Sequence, residues 1–424
     1  MSAKSWQKCE RCDATYPTLA THMECPNCGG LLAVEYDAPA ARGSDLRRQL
    51  YADHPSGVWR YSDLVLPDVA PGDIVSQPEG HTPLLQRSAV AEWSGVAALH
   101  LKHEGYNPTG SFKDRGMTVA VTQARRVRAT AVSCASTGNT SASLAAYAAL
   151  AGIPALVLVP AEHVAIGKLS QTLAYGARTL LVRGDFDACL RLVREASEKL
   201  GVYLANSINP FRIAGQKTII FEVLQQLGWD APEWIAVPAG NLGNTSAFGA
   251  ALREAKQLGL IDRVPRIAAV QASGAAPFSA SFRDGFRQKH TVQAETVATA
   301  IRIGDPASHD RAVRAIRETN GVVLDVPDDA ILEAKAVIDA SGVGCEPASA
   351  ASVAGVRALV SRGVIGPSER VVAVLTGHIL KDPGVLLEYH RDTEPAPSHA
   401  NRPREIDPDL RSVERVLAEV DRGR

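Results

Sequence analysis

From about residue 84 onward, apolar runs that read as strands alternate with helical patterns: 130–135 then 141–151, 155–159 then 168–175, 179–182 then 186–200, 234–237 then 246–257, and a last run at 371–375. Alternation at this spacing predicts an α/β chain of doubly wound parallel sheets covered by helices on both faces. Ligands of such sheets bind at the carboxyl ends of strands, so chemistry is expected in the loops that follow them. At 424 residues the chain exceeds one hydrophobic core, and two or three domains are expected.

Charged residues make up 21% and the formal net charge is -1, which points away from nucleic acid or a membrane and toward small molecules and protein subunits. The first twenty residues carry charges and no apolar core, and no stretch reaches about 18 uninterrupted apolar residues. Neither export nor membrane insertion is indicated, and the cytoplasm is the expected compartment.

Cys134, Cys189 and Cys345 sit in apolar contexts and read as small buried thiols. The other four cysteines crowd the N-terminus as two CxxC units, Cys9-Glu10-Arg11-Cys12 and Cys25-Pro26-Asn27-Cys28. Each unit can turn both thiolates toward one point, and four sulfurs make the closed set of a structural zinc site. A segment this short needs the metal to fold, and with no open coordination position the ion is not catalytic. Nucleic-acid binding is the rival role of such a ribbon. The lack of a dense Lys/Arg face favours docking or scaffolding.

Lys113 follows the turn-rich segment Asn107-Pro108-Thr109-Gly110-Ser111-Phe112 and opens a helical run. It is either a surface lysine capping a helix or a nucleophile whose pKa falls at the positive end of the helix dipole beside Phe112 and Met117. Four strand-end loops bear on that choice. Ser136-Thr137-Gly138-Asn139-Thr140 offers hydroxyls and helix-start amides to a carboxylate or phosphate, where a plain N-cap accounts for one residue only. Gly240-Asn241-Leu242-Gly243-Asn244 reads as an anion nest or a tight turn. Asn206-Ser207-Ile208-Asn209-Pro210-Phe211-Arg212 is an Asn/Pro turn with a solvated arginine, or a phosphate site built on a guanidinium. Thr376-Gly377-His378 puts a hydroxyl at the end of the last strand, beside a histidine that is either structural or titrating. Two anion sites and a candidate Schiff-base lysine match the needs of pyridoxal 5′-phosphate and an anionic substrate.

These segments, with Glu79-Gly80-His81-Thr82-Pro83-Leu84, Gly167-Lys168-Leu169-Ser170-Gln171, Gly215-Gln216-Lys217-Thr218 and Glu346-Pro347-Ala348-Ser349, run in one order between about residues 79 and 383. In that order the chain resembles the threonine synthases, pyridoxal-phosphate enzymes of the tryptophan synthase β-like fold. The Ser-Thr-Gly-Asn loop is shared with serine and threonine dehydratases and cysteine synthases. The lysine segment and the closing Thr-Gly-His are more particular to threonine synthases.

The resemblance implies that Lys113 binds the cofactor covalently and moves protons, that Asn139 bonds its 3′ oxygen and that Gly240, Asn241, Leu242, Gly243 and Asn244 hold its phosphate. Thr376 would face the ring nitrogen and, as a neutral hydroxyl, leave it less fully protonated. Ser136, Thr137 and Thr140 would hold the substrate carboxylate, and Lys168, Asn206, Ser207 and Arg212 its phosphate. The implied reaction turns O-phospho-L-homoserine and water into L-threonine and phosphate by γ-elimination and β-addition. A homodimer is the expected assembly. His81 and Ile379 depart from the family's usual Asn and Gly, which leaves room for a β-replacing or dehydrating paralogue, such as a cysteate synthase-like or threonine dehydratase-like enzyme. A non-catalytic zinc-ribbon regulator is the reading from outside catalysis.

The expected organisation is a zinc-ribbon-like module over 1–37, a large cofactor domain from 38–129 and 208–390, a small α/β domain over 130–207, and a linker with a C-terminal helix over 391–424. That helix would dock on the body or on another subunit.

Overall fold

A computed structural model describes residues 4–50, 53–161, 169–184 and 186–422. Among the described residues, thirteen strands form three sheets: β1 (Ser5–Cys9), β2 (Thr15–Pro17), β3 (Leu32–Tyr36), β4 (Leu84–Leu85), β5 (Ala98–His103), β6 (Ala131–Ala135), β7 (Ala155–Pro160), β8 (Arg178–Val182), β9 (Val202–Leu204), β10 (Trp234–Pro238), β11 (Arg266–Ala272), β12 (Val322–Val326) and β13 (Arg370–Leu375).

The largest sheet has the order β12-β11-β10-β13-β5-β4, parallel throughout except where β4 pairs with β5. The second runs β8-β7-β6-β9 and is entirely parallel. Every residue of β6 and β10 is buried, because helices cover both faces. That is why these strands read as continuous apolar runs with no alternation.

The strand orders locate the clefts. In the large sheet the chain steps outward from β10 through β11 to β12, then returns to β13 on the opposite side of β10. In the small sheet it steps from β6 through β7 to β8 and returns to β9 beside β6. Each reversal opens a crevice at the carboxyl ends of the two strands it separates. The loops after β10 and β13, and after β6 and β9, are the four singled out by sequence.

Two loops enter their helices sooner than the periodicity implied. The helix after β6 is Asn139–Ala151 and the helix after β10 is Gly243–Gln257, so loop residues form the first helical turn. The helix expected over 168–175 is the short Ser170–Ala174, and Lys168 lies outside the described residues.

The N-terminal strands form an antiparallel sheet in the order β2-β1-β3. It is seated on the body by polar contacts: Ser5 Oγ donates to Asp68 at 2.6 Å, Gln123 Nε2 donates to the Thr18 carbonyl at 2.7 Å, and buried Arg311 bonds both Glu10 and the Leu32 carbonyl. Residues 383–424 form a separate compact unit that ends in helix Leu410–Arg422. No helix among the described residues is long and apolar enough to cross a membrane.

Candidate active site

Lys113 is the first residue of helix Lys113–Arg126. Backbone hydrogen bonds tie the turn before it to the loop after β13. Phe112 N–H donates to the Thr376 carbonyl at 3.0 Å and His378 N–H to the Gly110 carbonyl at 2.9 Å. Burial lowers the Lys113 pKa to about 7, the Arg212 guanidinium acts in the same direction, and Glu346 opposes both. The sequence assigned this effect to a helix dipole and to desolvation beside Phe112 and Met117; desolvation is the larger cause, and the Arg212 cation adds to it. At neutral pH a large share of the amine is therefore unprotonated and nucleophilic.

Two residues beyond Lys113, Arg115 anchors the same helix in a buried charge cluster. Its Nε donates to Glu104 at 2.7 Å and its Nη2 to Glu222 at 2.7 Å, while Lys102 Nζ reaches Glu222 at 2.6 Å. These four side chains are fully buried, and Arg60 Nη2 approaches Glu222 from the rim at 3.4 Å. The same carboxylates hold residues 81 and 82: Glu222 accepts from the amides of His81 at 2.8 Å and Thr82 at 2.9 Å, and Glu104 from Thr82 Oγ1 at 2.7 Å. His81 has φ of 49°, a left-handed conformation that asparagine tolerates well, and its exposed ring bonds the His54 carbonyl at 2.8 Å. Ile379 packs on Gly344.

Glu346 lies between two expected cofactor contacts. Its Oε2 accepts from Asn139 Nδ2 at 2.8 Å and its Oε1 from Thr376 Oγ1 at 2.9 Å. Its own amide donates to the Gly377 carbonyl at 3.0 Å. Glycine at 377 leaves room for the carboxylate in this position, because a Cβ there would sit 2.5 Å from the Glu346 carboxyl carbon.

At the small-sheet switch point, Ser136, Thr137, Asn139 and Thr140 are all partly exposed at the helix start, with Ser136 Oγ accepting from Gly138 N–H at 3.2 Å. The Asn206 amide is turned inward. Its Oδ1 accepts from Ala135 N–H at 3.1 Å and its Nδ2 donates to the Ala135 carbonyl at 3.4 Å, which braces β9 against β6. Asn209 caps helix Pro210–Gln216, its side chain accepting from the amides of Phe211 and Arg212. That helix carries Arg212, which is buried with one hydrogen bond, Nη1 to the Ala205 carbonyl at 3.1 Å, and a partnerless Nε. No carboxylate pairs with it among the described residues. Burial lowers its pKa to about 10, Cys134 acting the other way.

At the large-sheet switch point, Leu242 takes φ of 65° and caps helix Gly243–Gln257. A non-glycine residue in this conformation turns successive amides toward one point, a nest for an anion. A Cβ on Gly240 would lie 2.9 Å from Ile301 Cα. Asn241 donates to Ser207 Oγ at 3.0 Å and accepts from Ala307 N–H at 2.8 Å. Buried Asn244 Oδ1, Thr245 Oγ1 and, one helical turn from Arg212, Gln216 Oε1 have no partner among the described residues. Orphaned polar atoms around an amide nest, together with an unpaired buried guanidinium, fit a phosphate-bearing cofactor and a second anion.

The four N-terminal sulfurs lie within 4.8 Å of one another. Separations of 3.5 Å for Cys9–Cys28, 3.6 Å for Cys12–Cys25 and 3.4 Å for Cys12–Cys28 far exceed a disulfide bond of about 2.05 Å. They approach the edge of about 3.8 Å expected of a tetrahedron with zinc–sulfur bonds of about 2.3 Å. Gly30 lets the knuckles close, since a Cβ there would lie 2.9 Å from Cys9 Sγ.

Sequence reading assigned no role to Glu346, Ser349, Gln216 or the Arg115 cluster. Lys102 and Glu222 left one signal, a charge inside an apolar run.

Parallel sheets with paired switch points, a buried low-pKa lysine and an amide nest define the pyridoxal-phosphate-dependent class of α/β enzymes. Residues 75–377 match the family described as "Pyridoxal-phosphate dependent enzyme". The threonine synthase of Methanosarcina acetivorans is 47% identical over 383 residues, covering 90% of this chain and 93% of that protein. That of Methanocaldococcus jannaschii is 42% identical over 418 residues, covering 98% and 100%. The solved threonine synthase of Escherichia coli shares the fold, with a TM-score of 0.72 and 20% identity over 98% of this chain and 100% of that one. This chain belongs to the threonine synthases.

Proposed function

We propose that the chain converts O-phospho-L-homoserine and water into L-threonine and phosphate. The observation that carries this reading is Arg212, a buried guanidinium with no carboxylate partner among the described residues, near enough to Lys113 to help lower its pKa. A buried cation without a counter-charge is costly, and an anionic substrate group supplies the missing charge.

Pyridoxal phosphate, when bound, supplies a conjugated ring that accepts the electron pair left as the substrate loses a proton. Gly240, Asn241, Leu242, Gly243 and Asn244 would hold its phosphate, Asn139 its 3′ oxygen and Thr376 its ring nitrogen. Lys113 Nζ would bind the cofactor and then take the substrate Cα proton, a task suited to an amine with a pKa of about 7. Ser136, Thr137 and Thr140 would receive the substrate carboxylate at the helix start. Ser207 and Arg212, with Lys168, would receive its phosphate, and Arg212 would stabilise the charge that grows as phosphate departs. Asn206 fits a bracing part better than a ligand's.

In the same reading, Cys9, Cys12, Cys25 and Cys28 hold a structural zinc ion in an N-terminal ribbon. The division of strands among the sheets supports limits at 37, 129 and 207, while the limit at 390 falls inside the C-terminal unit that begins at Pro383. Cysteines kept as thiols suit a reducing cytoplasm. The exposed Leu180 and Leu181 on edge strand β8 offer apolar surface to a second copy in a homodimer. The deciding experiment measures phosphate release from O-phospho-L-homoserine and threonine formation in parallel. Turnover of O-phosphoserine or threonine alone would move the chain to a paralogous activity.

A further inference from the structure

Asp114 follows Lys113 in the first turn of helix Lys113–Arg126, and its side chain is fully buried. Three hydrogen bonds, and no ion pair among the described residues, satisfy its carboxylate. Two come from the turn before the lysine: Thr109 N–H donates to Oδ2 at 2.7 Å and Thr109 Oγ1 to Oδ1 at 2.6 Å. The third comes from the small sheet's helix Asn139–Ala151, where Ser143 Oγ donates to Oδ1 at 2.6 Å. Ser143 stands one helical turn beyond Asn139, on the helix that begins in the loop of Ser136, Thr137 and Thr140. A single bond therefore joins the residue after the lysine to the turn after that loop. On its other side the lysine turn is held by Gln171 Nε2, which donates to the Thr109 carbonyl at 3.3 Å. Burial pushes the Asp114 carboxyl up to about 6 while its hydrogen bonds and Lys381 pull it down, so at neutral pH it is mostly ionised and accepts all three. The charges that act on the Lys113 amine are Arg212 and Glu346. Asp114 bears on it through position.

We propose that Asp114 is a positioning residue: through Ser143 it sets the separation between the loop that receives the substrate carboxylate and Lys113 Nζ, and so the approach of the amine to the substrate Cα proton. This rests on the reading that Ser136, Thr137 and Thr140 hold that carboxylate and that Lys113 takes that proton. Proton transfer needs its heavy atoms within about 2.6–3.2 Å, and a displacement of about 1 Å can cost a hundredfold in rate. Helix Lys113–Arg126 packs on helix Asn139–Ala151, but apolar packing is non-directional and tolerates a small slide. A hydroxyl–carboxylate bond fixes both distance and angle. Serine has one side-chain torsion before its oxygen, so the bond constrains the helix itself and not a flexible arm. The two Thr109 bonds fix the carboxylate at the other end.

The test follows exchange of the Cα hydrogen of L-threonine for solvent deuterium on the cofactor-loaded full chain, by proton NMR. Ser143→Ala removes the donor and leaves the carboxylate loop intact; Asp114→Asn weakens the acceptor. Each should slow exchange at saturating threonine by about tenfold to a hundredfold. Threonine binding, read from the cofactor's absorbance, and borohydride fixation of the cofactor at Lys113 should stay at wild-type levels. The double variant should be no slower than Asp114→Asn alone, because both changes remove the same bond. In the cofactor-free protein, Asp114→Asn should also raise amide exchange across residues 107–112, where Thr109 N–H loses its acceptor. Exchange of threonine at the wild-type rate in Ser143→Ala overturns the proposal. So does a loss matched by weaker threonine binding or by lost cofactor, additive losses in the double variant, or unchanged amide protection over 107–112. If Asp114→Asn does not fold, Ser143→Ala decides alone. The underlying reading fails differently: a wild type that leaves the threonine hydrogen in place, or a Lys113→Ala variant that exchanges it as fast, removes that reading and this inference together.

Discussion

Ser207 Oγ accepts a hydrogen bond from Asn241 Nδ2 at 3.0 Å, joining the loop after β9 to the loop after β10. The two loops read as separate phosphate sites are thus one connected structure. Asn241→Ala should weaken cofactor affinity and raise KM for the phosphorylated substrate together, each by about tenfold, the cost of a hydrogen bond or two. Cofactor titration and steady-state kinetics check this; a change in only one of the two would show that the loops act independently.

Arg212 should trade stability for function. Arg212→Met is expected to lower kcat/KM by about a hundredfold or more while raising Tm of the ligand-free protein, since it removes a buried unpaired charge. A fall in Tm would mean that the guanidinium is a structural group.

Lys113 carries the pH dependence. Its folded pKa of about 7 lies below its ordinary 10.5, so the unfolded chain binds more protons between those values. Stability should rise with pH across that window and be lost as pH falls toward 7. Cofactor capture by the cofactor-free protein should speed up as pH rises through about 7. Stopped-flow absorbance measures the rate and denaturant titration the stability; Lys113→Met should flatten the lysine's contribution to both.

Glu222 touches no expected ligand, yet Glu222→Gln should cost about 3–5 kcal/mol, because it leaves Arg115 and Lys102 with one counter-charge between them. Burial pushes this carboxyl up, but Arg115 and Lys102 more than offset that and hold it below the usual carboxylate range. Its contribution should therefore persist as pH falls, until well into the acid range. Urea unfolding at several pH values tests both statements.

One zinc ion per chain is expected by elemental analysis. Chelation or Cys12→Ser should lower Tm without lowering kcat at temperatures where the body stays folded. A proportional loss of kcat with metal would give the ribbon a direct part in catalysis.

The strand-end loops were legible because Gly, Asn and Ser interrupt apolar runs at the points where the strand orders reverse. Lys113 was legible as a helix-start lysine lowered by desolvation; the added push from Arg212, 99 residues further along, was not. Glu346 was hidden for a different reason. An acidic residue before proline is an ordinary way to begin a helix, and its partners Asn139 and Thr376 stand 207 and 30 residues away. Lys102 and Glu222, separated by 120 residues, announce that each needs a partner but not which one. Periodicity reports faces and ends; pairing across the chain is a property of topology.

Arg311 holds Glu10 across 301 residues of sequence. On a ribosome adding about 5–20 residues per second, the arginine emerges roughly 15 to 60 s after the knuckle it secures. During that interval the four cysteines must hold their shape by their own chemistry, so early capture of a metal ion would guard the nascent thiols until the rest of the chain arrives.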